Sequence, residues 1–340
     1  MTARPKVTFV VVARDAAEHL PAVFACLLAQ DYPKESLQCL FVDSRSVDGT
    51  RRLAEEFRAL HAELDFSILD NPGRLLASGW NAALAKAAGD IIVRVDAHAE
   101  FPSDFVRRHV EAHALGHAIT GGPTTTTYEN GAERGLIALA ENSAFGGGAA
   151  AFRRRSVAGY VDTMAHAAYD RAVFAAVGGY HDHLARTEDN EIHHRMTRAG
   201  YRFWFDPTIR SSRRARATVM GLLRQKYGNG VWVGLTIAVA PRAFSLRHFV
   251  PGMFALALLG GLALGRAGLW LPLAALLAAY GAAAAGFALA ATGWASAPAL
   301  AALFFLMHCA YGFGTLAGLA EMNWFKWKTR LYSIPRPVAR

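Results

Sequence analysis

An aspartate and a histidine two residues apart, Asp96 and His98, form the pair in this chain best suited to hold a cation. They follow the apolar run at residues 91–95, which is typical of a strand buried on both faces. Because side chains alternate along a strand, Asp96 and His98 point the same way. Ligands of α/β sheets bind beyond the carboxyl ends of strands, where a carboxylate and an imidazole could hold a divalent cation. The alternative is an ordinary strand end with a solvated Asp and His.

A second group of acids, Glu188, Asp189 and Glu191, stands at the start of a predicted helix over residues 192–199. Thr187 before them is a suitable N-cap, and acids in a first turn stabilise a helix through its macrodipole. The acids could therefore serve the helix alone. Three acids beside two histidines, in a chain with a possible cation site, favour a functional site.

A third carboxylate, Asp43, ends the apolar run at residues 37–42 and begins a polar loop. It could accept hydrogen bonds from a base or a ribose. The amides around Asp48 and Thr50, at the start of the next predicted helix, could assist anion binding. These two residues could instead simply cap that helix, and Asp48 could do both.

The elements that must position these side chains alternate between strands and helices. We predict strands at residues 6–13, 37–42, 66–69, 91–95 and 201–205, and helices at residues 18–30, 51–60, 78–88 and 192–199. This order implies an α/β fold with a parallel sheet wrapped by helices, in which Asp43 and Asp96 face one crevice. The first strand is not followed by G-x-G-x-x-G, which argues against a dinucleotide dehydrogenase, and no Walker A pattern occurs.

The formal net charge of +9 over 340 residues indicates an anionic partner. The basic residues cluster on both sides of a long apolar region, at Arg202, Arg210, Arg213, Arg214, Arg216, Arg224, Lys226, Arg242, Arg247, Lys326, Lys328, Arg330, Arg336 and Arg340. Such flanking clusters favour a membrane surface over nucleic acid, although the stretch at residues 202–226 could also be a solvated helix face. Three scattered cysteines suit a reducing compartment, and the first apolar run is too short for a secretory signal. We therefore expect the folded part in the cytosol.

Three apolar segments follow, at residues 249–265, 269–292 and 298–319. About 20 residues span a bilayer core, so the first segment is marginal and the other two are long enough. Basic clusters on both sides favour an even number of crossings, with the first segment re-entrant or interfacial. We divide the chain into a soluble domain (1–215), an amphipathic or interfacial region (216–248), two to three transmembrane or re-entrant helices (249–320) and a basic cytosolic tail (321–340).

Together the motifs resemble those of the family 2 glycosyltransferases over roughly residues 6–210. The matching segments are residues 42–50 against a nucleotide loop of the type VDDxSxDGT with Ser44 in place of the second acid, Asp96-Ala97-His98 at the D-x-D motif, Gly178-Gly179-Tyr180 at G-G-[FY], and Glu188-Asp189 at E-D. The resemblance implies the GT-A fold, a Rossmann-like nucleotide-diphospho-sugar transferase domain, followed here by transmembrane helices.

A narrower resemblance points to the succinoglycan glucosyltransferases, the ExoA group. It rests on residues 94–98, Phe145-Gly146-Gly147-Gly148 followed by Phe152-Arg153, Val161-Asp162-Thr163 and Tyr227-Gly228-Asn229-Gly230. Members of this group are bacterial exopolysaccharide enzymes that extend a polyprenyl-diphosphate-linked saccharide at the inner membrane. The resemblance therefore implies transfer of glucose from a UDP-sugar, alongside other polysaccharide-assembly proteins. Open alternatives are another sugar, a bare lipid phosphate acceptor, or an inactive scaffold of an export complex.

The same resemblance implies roles for individual residues. The UDP-sugar would be bound by Ala13, Asp43, Ser46, Asp48, Arg74 and Asp96. Asp96 and His98 would hold Mg²⁺ or Mn²⁺ against the diphosphate. Asp189 would be the general base of an inverting transfer, with Glu188 as its support. Arg224, Gln225 and Tyr227 would contact the diphosphate of the acceptor.

Overall fold

A computed structural model of the protein describes residues 4–127, 132–147, 155–214, 218–332 and 334–335. These residues form two compact units. Within the described residues, the first unit comprises 4–126, 155–214, 332 and 334–335, and the second comprises 127, 132–147 and 218–331. The described residues of the sequence motifs up to Asp189 lie in the first unit, apart from the glycine run that begins at Phe145.

The strands are β1 (Val7–Ala13), β2 (Leu37–Asp43), β3 (Asp65–Asp70), β4 (Ile91–Asp96), β5 (Ala99–Glu100), β6 (Ile119–Gly121), β7 (Thr124–Thr127), β8 (Gly159–Val161), β9 (Ala168–Asp170), β10 (Phe203–Phe205) and β11 (Ser211–Arg214). The helices are α1 (Leu20–Leu28), α2 (Thr50–Leu60), α3 (Leu76–Leu84), α4 (Phe105–Ala114), α5 (Ala132–Asn142), α6 (Arg171–Val177), α7 (Glu188–Arg198), α8 (Val219–Thr236), α9 (Val250–Arg266), α10 (Leu271–Thr292) and α11 (Ala297–Thr329).

The large sheet of the first unit has the strand order β3-β2-β1-β4-β9-β6-β10-β8. The first four strands are parallel, as the alternation of strands and helices predicts. All seven residues of β1 are buried, because helices cover both faces of a parallel sheet. Beyond β4 the sheet changes direction, since β9 runs antiparallel to both β4 and β6. The predicted α/β fold is confirmed, and the antiparallel part extends it.

Helix α1 shows why the helices lie against this sheet. Its buried residues Leu20, Val23, Phe24 and Leu27 follow the spacing of one helical face. Phe24 stacks on Phe57 of α2 with ring centroids 4.3 Å apart. Each such side chain contributes about 2 to 3 kcal/mol when it is removed from water. This packing fixes the helices that flank the polar loops after β1 and β2.

Helix α3 lies so close to β1 that it needs a glycine. A Cβ on Gly79 would overlap the side chain of Val12. The helix begins two residues earlier and ends four residues earlier than the predicted span of 78–88. Its Trp80 is buried and faces the site described below.

The second unit is built from helices that approach one another through glycines. Helix α8 carries Gly230 and Gly234, and α11 carries Gly314 and Gly318, each pair in the spacing G-x-x-x-G. A Cβ on Gly230 would overlap the backbone at Tyr311, and a Cβ on Gly318 would overlap the backbone of α8. Such small residues let two backbones touch, which is the usual way that helices associate in a bilayer.

Two of the described helices are long and apolar enough to cross a membrane, Leu271–Thr292 and Ala297–Thr329. Their mean hydropathies are 1.9 and 1.6. Helix α9 (Val250–Arg266) is apolar but has only 17 residues, fewer than the roughly 20 residues that span a bilayer core. Within this unit His308 donates from Nε2 to the carbonyl of Phe145 (2.8 Å) and accepts from Tyr280 (2.9 Å), which makes it a packing residue.

Candidate functional site

Strand β4 presents two candidate site side chains on one face, Arg94 and Asp96, at alternate positions. His98 lies in the turn after the strand, so the alternation expected to align it with Asp96 ends before it. The strand pairs with β1 on one side and with β9 on the other, so its backbone is held from both edges. Asp96 is the last residue of β4, and the short strand β5 begins three residues after it. The site therefore begins at the carboxyl end of a central strand, where ligands of α/β sheets bind.

Asp96 is held by a buried histidine from another part of the chain. Its Oδ2 lies 3.3 Å from Nε2 of His166, whose Nδ1 lies 2.9 Å from the hydroxyl of Ser211. Ser211 in turn lies 3.0 Å from the hydroxyl of Thr124, across the small sheet formed by β5, β11 and β7. Burial raises the pKa of Asp96, but the contact with His166 and the charge of Arg94 outweigh it and hold that pKa well below its usual range. Asp96 is therefore ionised at neutral pH.

His98 lies in the turn between β4 and β5 and remains a neutral imidazole. Burial lowers its pKa, and the opposing charge of Asp96 only partly offsets that effect. A neutral imidazole keeps a lone pair for a metal ion, and an ionised carboxylate supplies oxygen, so this donor set suits Mg²⁺ or Mn²⁺. Among the described residues no group of three His, Cys, Asp or Glu side chains is placed to bind a metal ion together. A cation held here would need further ligands from substrate or water.

The acidic pair lies at the start of α7. Thr187 occupies the N-cap position with a φ of 62°, which is rare for a β-branched residue. The expected capping by Thr187 is wrong, because its hydroxyl donates to the carbonyl of Arg186 and does not cap the helix. The side chain of Glu188 is 7% exposed and that of Asp189 is 34% exposed. Asp189 is thus the carboxylate of this pair that an incoming group can reach.

Arg94 joins this acidic pair to β4. Its guanidinium forms an ion pair with Oδ1 of Asp189 and lies 3.5 Å from Glu188. The same guanidinium lies 4.7 Å from the ring centre of Trp80 and 5.5 Å from that of Tyr180, and it donates to the Tyr180 hydroxyl at 3.4 Å. Such a buried arginine needs these partners because an unpaired charge inside a protein is strongly unfavourable.

The two carboxylates differ in their electrostatic surroundings. Burial and the neighbouring charge of Asp189 raise the pKa of Glu188, and Arg94 offsets only part of that rise. Glu188 therefore holds a proton more readily than an exposed glutamate does. Asp189 is paired with Arg94 through Oδ1 and keeps 34% of its side chain exposed.

The ends of β1 and β2 and the loop after β2 hold the predicted nucleotide residues Ala13, Asp43, Ser46 and Asp48. The carboxylate of Asp43 is buried and accepts from the amide of Ser46 (3.2 Å). The hydroxyl of Ser46 accepts from the amide of Asp15 (3.0 Å), and the carbonyl of Ala13 accepts from the amide of Ser44 (2.8 Å). The structure thus brings these residues together in two interlocked loops.

Asp48 connects the same two loops. Its carboxylate accepts from the amides of Ala17 (3.1 Å) and Thr50 (2.9 Å). Burial tends to raise the pKa of Asp48, but these hydrogen bonds outweigh it and lower that pKa. Arg74 lies in the next loop along the sheet, after β3, with a φ of 59° and an exposed side chain.

Ser44 stands where the family pattern has a second acid. Its hydroxyl is buried and accepts from the side-chain amide of Asn71 (2.8 Å). The amide of Asn71 also donates to the carbonyl of Leu75 (2.8 Å), and its oxygen accepts from Ser78 (2.8 Å). A carboxylate at position 44 would be buried among neutral partners, so this chain uses a hydroxyl there.

The remaining predicted residues belong to the second unit. Arg224, Gln225 and Tyr227 all lie on α8. Lys226, between them, forms a buried ion pair with Glu141 of α5 (3.0 Å). In the glycine run that begins at Phe145, a Cβ on Gly146 would overlap the carbonyl of Ala140, so two stretches of backbone approach closely there. The later residues of that motif, Gly148, Phe152 and Arg153, lie outside the described residues.

Four residues of the candidate site were not predicted individually from the sequence: Arg94, His166, Trp80 and Tyr180. The sequence does contain a signal for Arg94. It is the one charged side chain within the apolar run at residues 91–95, and it precedes Asp96 by two residues, so both side chains lie on the same face of the strand. His166 and Trp80 were not predictable, because each reaches the site from a distant segment and neither carries a local pattern.

A solved structure and a family model identify the fold and the family of this chain. A mannosyltransferase of Pyrobaculum calidifontis, solved in complex with GDP-Man and Mn²⁺, superposes with a TM-score of 0.54 at 22% identity, covering 97% of this chain and 88% of that one. This likeness establishes the GT-A fold. The sequence model of Glycosyl transferase family 2 matches residues 8–178, and the chain belongs to that family.

Two relatives are similar to this chain in sequence over about two thirds of their length. The chain is 30% identical over 223 residues to succinoglycan biosynthesis protein ExoA of Rhizobium meliloti (strain 1021), covering 65% of this chain and 67% of that protein. It is 25% identical over 215 residues to dolichyl N-acetyl-alpha-D-glucosaminyl phosphate 3-beta-D-2,3-diacetamido-2,3-dideoxy-beta-D-glucuronosyltransferase of Methanococcus voltae, covering 61% of this chain and 66% of that protein. The chain thus spans about two thirds of the length of each relative.

Proposed function

We propose that this chain transfers a sugar, with glucose as the first candidate, from a UDP-sugar to a polyprenyl-diphosphate-linked saccharide. The main support is that two carboxylates lie near the Arg94 guanidinium. Asp96, at the end of β4, is ionised, and Asp189 is accessible to an acceptor. The first carboxylate suits a cation on the donor diphosphate, and the second suits a proton acceptor. The names of the two relatives, which concern exopolysaccharide and a dolichyl-linked sugar, support a lipid-linked acceptor.

Asp96 and His98 are the residues that would hold Mg²⁺ or Mn²⁺. A bound divalent ion neutralises the charge that grows on the leaving nucleoside diphosphate. His166 keeps the Asp96 carboxylate oriented, since it contacts Oδ2 from a buried position. The presence of Mn²⁺ with GDP-Man in the Pyrobaculum mannosyltransferase supports this proposal.

Asp189 would take the proton of the acceptor hydroxyl through its carboxylate. The ion pair of Arg94 with Oδ1 would fix the direction of that carboxylate. The hydroxyl then attacks the anomeric carbon as the bond to the nucleoside diphosphate breaks, so one displacement inverts the configuration. Glu188, buried beneath the same guanidinium, supports this arrangement without reaching the acceptor.

We further propose that the first unit faces the cytoplasm of a bacterial cell, at the plasma membrane. Basic residues flank the two apolar helices on both sides, and such residues prefer the cytoplasmic face. Two crossings, by α10 and α11, place both flanks there. A lipid-linked acceptor and a cytosolic UDP-sugar then meet on the same side.

The direct test is an assay of membranes that contain the chain, with a panel of UDP-sugars, GDP-mannose and defined polyprenyl-diphosphate acceptors. We expect transfer from one UDP-sugar to a diphosphate-linked saccharide. Transfer to a bare lipid phosphate would change the acceptor class. No transfer and no donor hydrolysis would favour a scaffold and overturn the proposal.

Metal dependence is tested in the same assay. We expect EDTA to abolish transfer and added Mn²⁺ or Mg²⁺ to restore it, while Asp96→Asn keeps little activity at any metal concentration. Equilibrium binding of Mn²⁺ to the purified chain in the presence of UDP gives a readout besides activity. Full transfer in chelator would remove the metal role of Asp96 and His98.

A further inference from the structure

The last described residues of the chain, Tyr332, Ile334 and Pro335, lie against the loop that precedes α7. We call these three residues the C-terminal segment, and we call residues 178–182 the glycine loop. The amide of Gly179 donates to the carbonyl of Pro335 (2.6 Å), and the amide of Asp182 donates to the hydroxyl of Tyr332 (3.0 Å). The two partners in each bond are about 150 residues apart, so this is a tertiary contact and not a local turn.

The contact also involves side chains. The ring of Tyr332 packs against His181 and His183, with centroids 4.5 and 4.7 Å apart. Gly178 has a φ of 82°, and a Cβ on it would lie 3.1 Å from the side chain of Ile334. The glycine at this position therefore serves both the backbone turn and the close approach of the C-terminal segment.

The glycine loop is held from two further directions. The side-chain amide of Asn81 donates to the carbonyl of Tyr180 (2.8 Å), and its oxygen accepts from the amide of Tyr180 (2.7 Å). Arg195 of α7 donates to the carbonyl of Gly179 (2.7 Å) and pairs with Glu191 on its own helix. The C-terminal segment thus supplies the third support of a loop that α3 and α7 already hold.

This loop forms one wall of the candidate active site. The side chain of Tyr180 lies against Arg94, and Arg94 in turn holds Asp189. The hydroxyl of Tyr332 donates to the carbonyl of the same Tyr180 (3.4 Å). A shift of the glycine loop would therefore change the position of the guanidinium that orients the carboxylate.

We propose that the C-terminal segment positions the glycine loop for sugar transfer, with Tyr332 as its main positioning residue. The catalytic part of this inference rests on the proposed function. Tyr332 follows the end of α11 by three residues, so the chain that leaves this long apolar helix completes the support of the site. The segment touches no reacting group and acts only through Tyr180 and Arg94.

The test compares Tyr332→Ala and Tyr332→Phe with the unaltered full-length chain in detergent micelles. Hydrogen exchange reports on the amides of Gly179 and Asp182, which donate to the segment. We expect Tyr332→Ala to speed their exchange about two- to tenfold, as the loss of a typical hydrogen bond implies. Tyr332→Phe keeps the ring but removes the hydroxyl, so it should affect Asp182 more than Gly179.

Kinetics separate positioning from general stability. We expect Tyr332→Ala to lower kcat about tenfold or more, because small misplacements in a site are costly, while the KM for the donor changes little. The unfolding midpoint should stay close to that of the unaltered chain. Tyr201→Phe removes a tyrosine hydroxyl that makes no described contact with the loop, and it should leave kcat and exchange unchanged.

Two results would overturn the inference: unchanged exchange of both amides in Tyr332→Ala, or faster exchange with unchanged kcat. Absence of transfer by the unaltered chain is a different result. It would overturn the proposed function, while the exchange measurement would still decide whether the C-terminal segment holds the loop.

Discussion

Arg94 brings a full positive charge into a strand whose neighbouring side chains are apolar. The cost of removing that charge from water is several kcal/mol, and it is offset only when the geometry of its partners is good. Asp189, Glu188 and the rings of Trp80 and Tyr180 supply that geometry. The same contacts that make the arginine tolerable also set the direction of the Asp189 carboxylate.

Replacing Arg94 should therefore destabilise the chain. We expect Arg94→Gln to lower the free energy of unfolding by about 3 to 5 kcal/mol, because the Asp189 carboxylate loses its counter-ion. Adding Asp189→Asn should restore part of the loss by removing the uncompensated charge. Denaturant unfolding of the full-length chain in micelles measures both. Arg107→Gln, in an exposed group of ion pairs, is the matched control and should change little. A double variant no more stable than Arg94→Gln would contradict this account.

The proposed base is tested by Asp189→Asn. The amide cannot accept the proton, so we expect kcat to fall by about 10²- to 10⁴-fold. Binding of UDP, measured by titration calorimetry, should survive because Asp189 lies outside the nucleotide loops. Asp104→Asn, at the N-cap position of α4, is the control and should keep its activity. Near-normal turnover in Asp189→Asn would remove this residue from the role.

Among the elements, the four parallel strands were predictable and the antiparallel part of the sheet was not. Strands β1, β2 and β4 are six or seven residues long and nearly all apolar, which is a strong local signal. Strand β9 has three residues, too few to show an alternation, and it joins the sheet through partners at positions 91–93 and 119–120. Such pairing depends on tertiary contacts that no local pattern records.

The contact between α8 and α11 gives a prediction at the scale of helices. Gly318→Leu would force the two backbones apart, and we expect it to lower the stability of the chain by about 3 kcal/mol, at the upper end of over-packing. Gly286→Leu is the matched control, because a Cβ on that glycine of α10 meets no atom within 4 Å. Thermal unfolding in micelles compares the two. Equal shifts would show that the close approach of α8 and α11 is unimportant.

At the scale of the whole molecule, buried histidines should make stability depend on pH. Burial lowers the pKa of His193 from 6.5 to about 4. The unfolded chain then binds this proton more readily than the folded chain between those values. The stabilisation is complete above about pH 6.5 and is lost as the pH falls towards 4, by about 3 kcal/mol in all.

Unfolding of the full-length chain at pH 7 and at pH 4.5 tests this dependence. His193→Gln removes the titrating group, so its stability should fall less between the two pH values than that of the unaltered chain. The hydrogen bonds of His193 to Thr163 and Tyr169 are lost in the variant, which lowers its stability at both pH values alike. Thr163→Val removes one of these hydrogen bonds but keeps the titrating histidine, so this control should retain most of the pH dependence. An unaltered slope in His193→Gln would contradict the assignment.

The ion pair between Arg94 and Asp189 also constrains how the chain can fold during synthesis. The two residues are 95 positions apart, so the ribosome must add that many residues before the charge in β4 finds its partner. At typical rates of synthesis this takes about 5 to 20 seconds. Until then β1, β2 and β3 can assemble, but burial of β4 would leave the charge of Arg94 without its partners. Burial of β4 is therefore a late event, which the emergence of residues 188 and 189 permits.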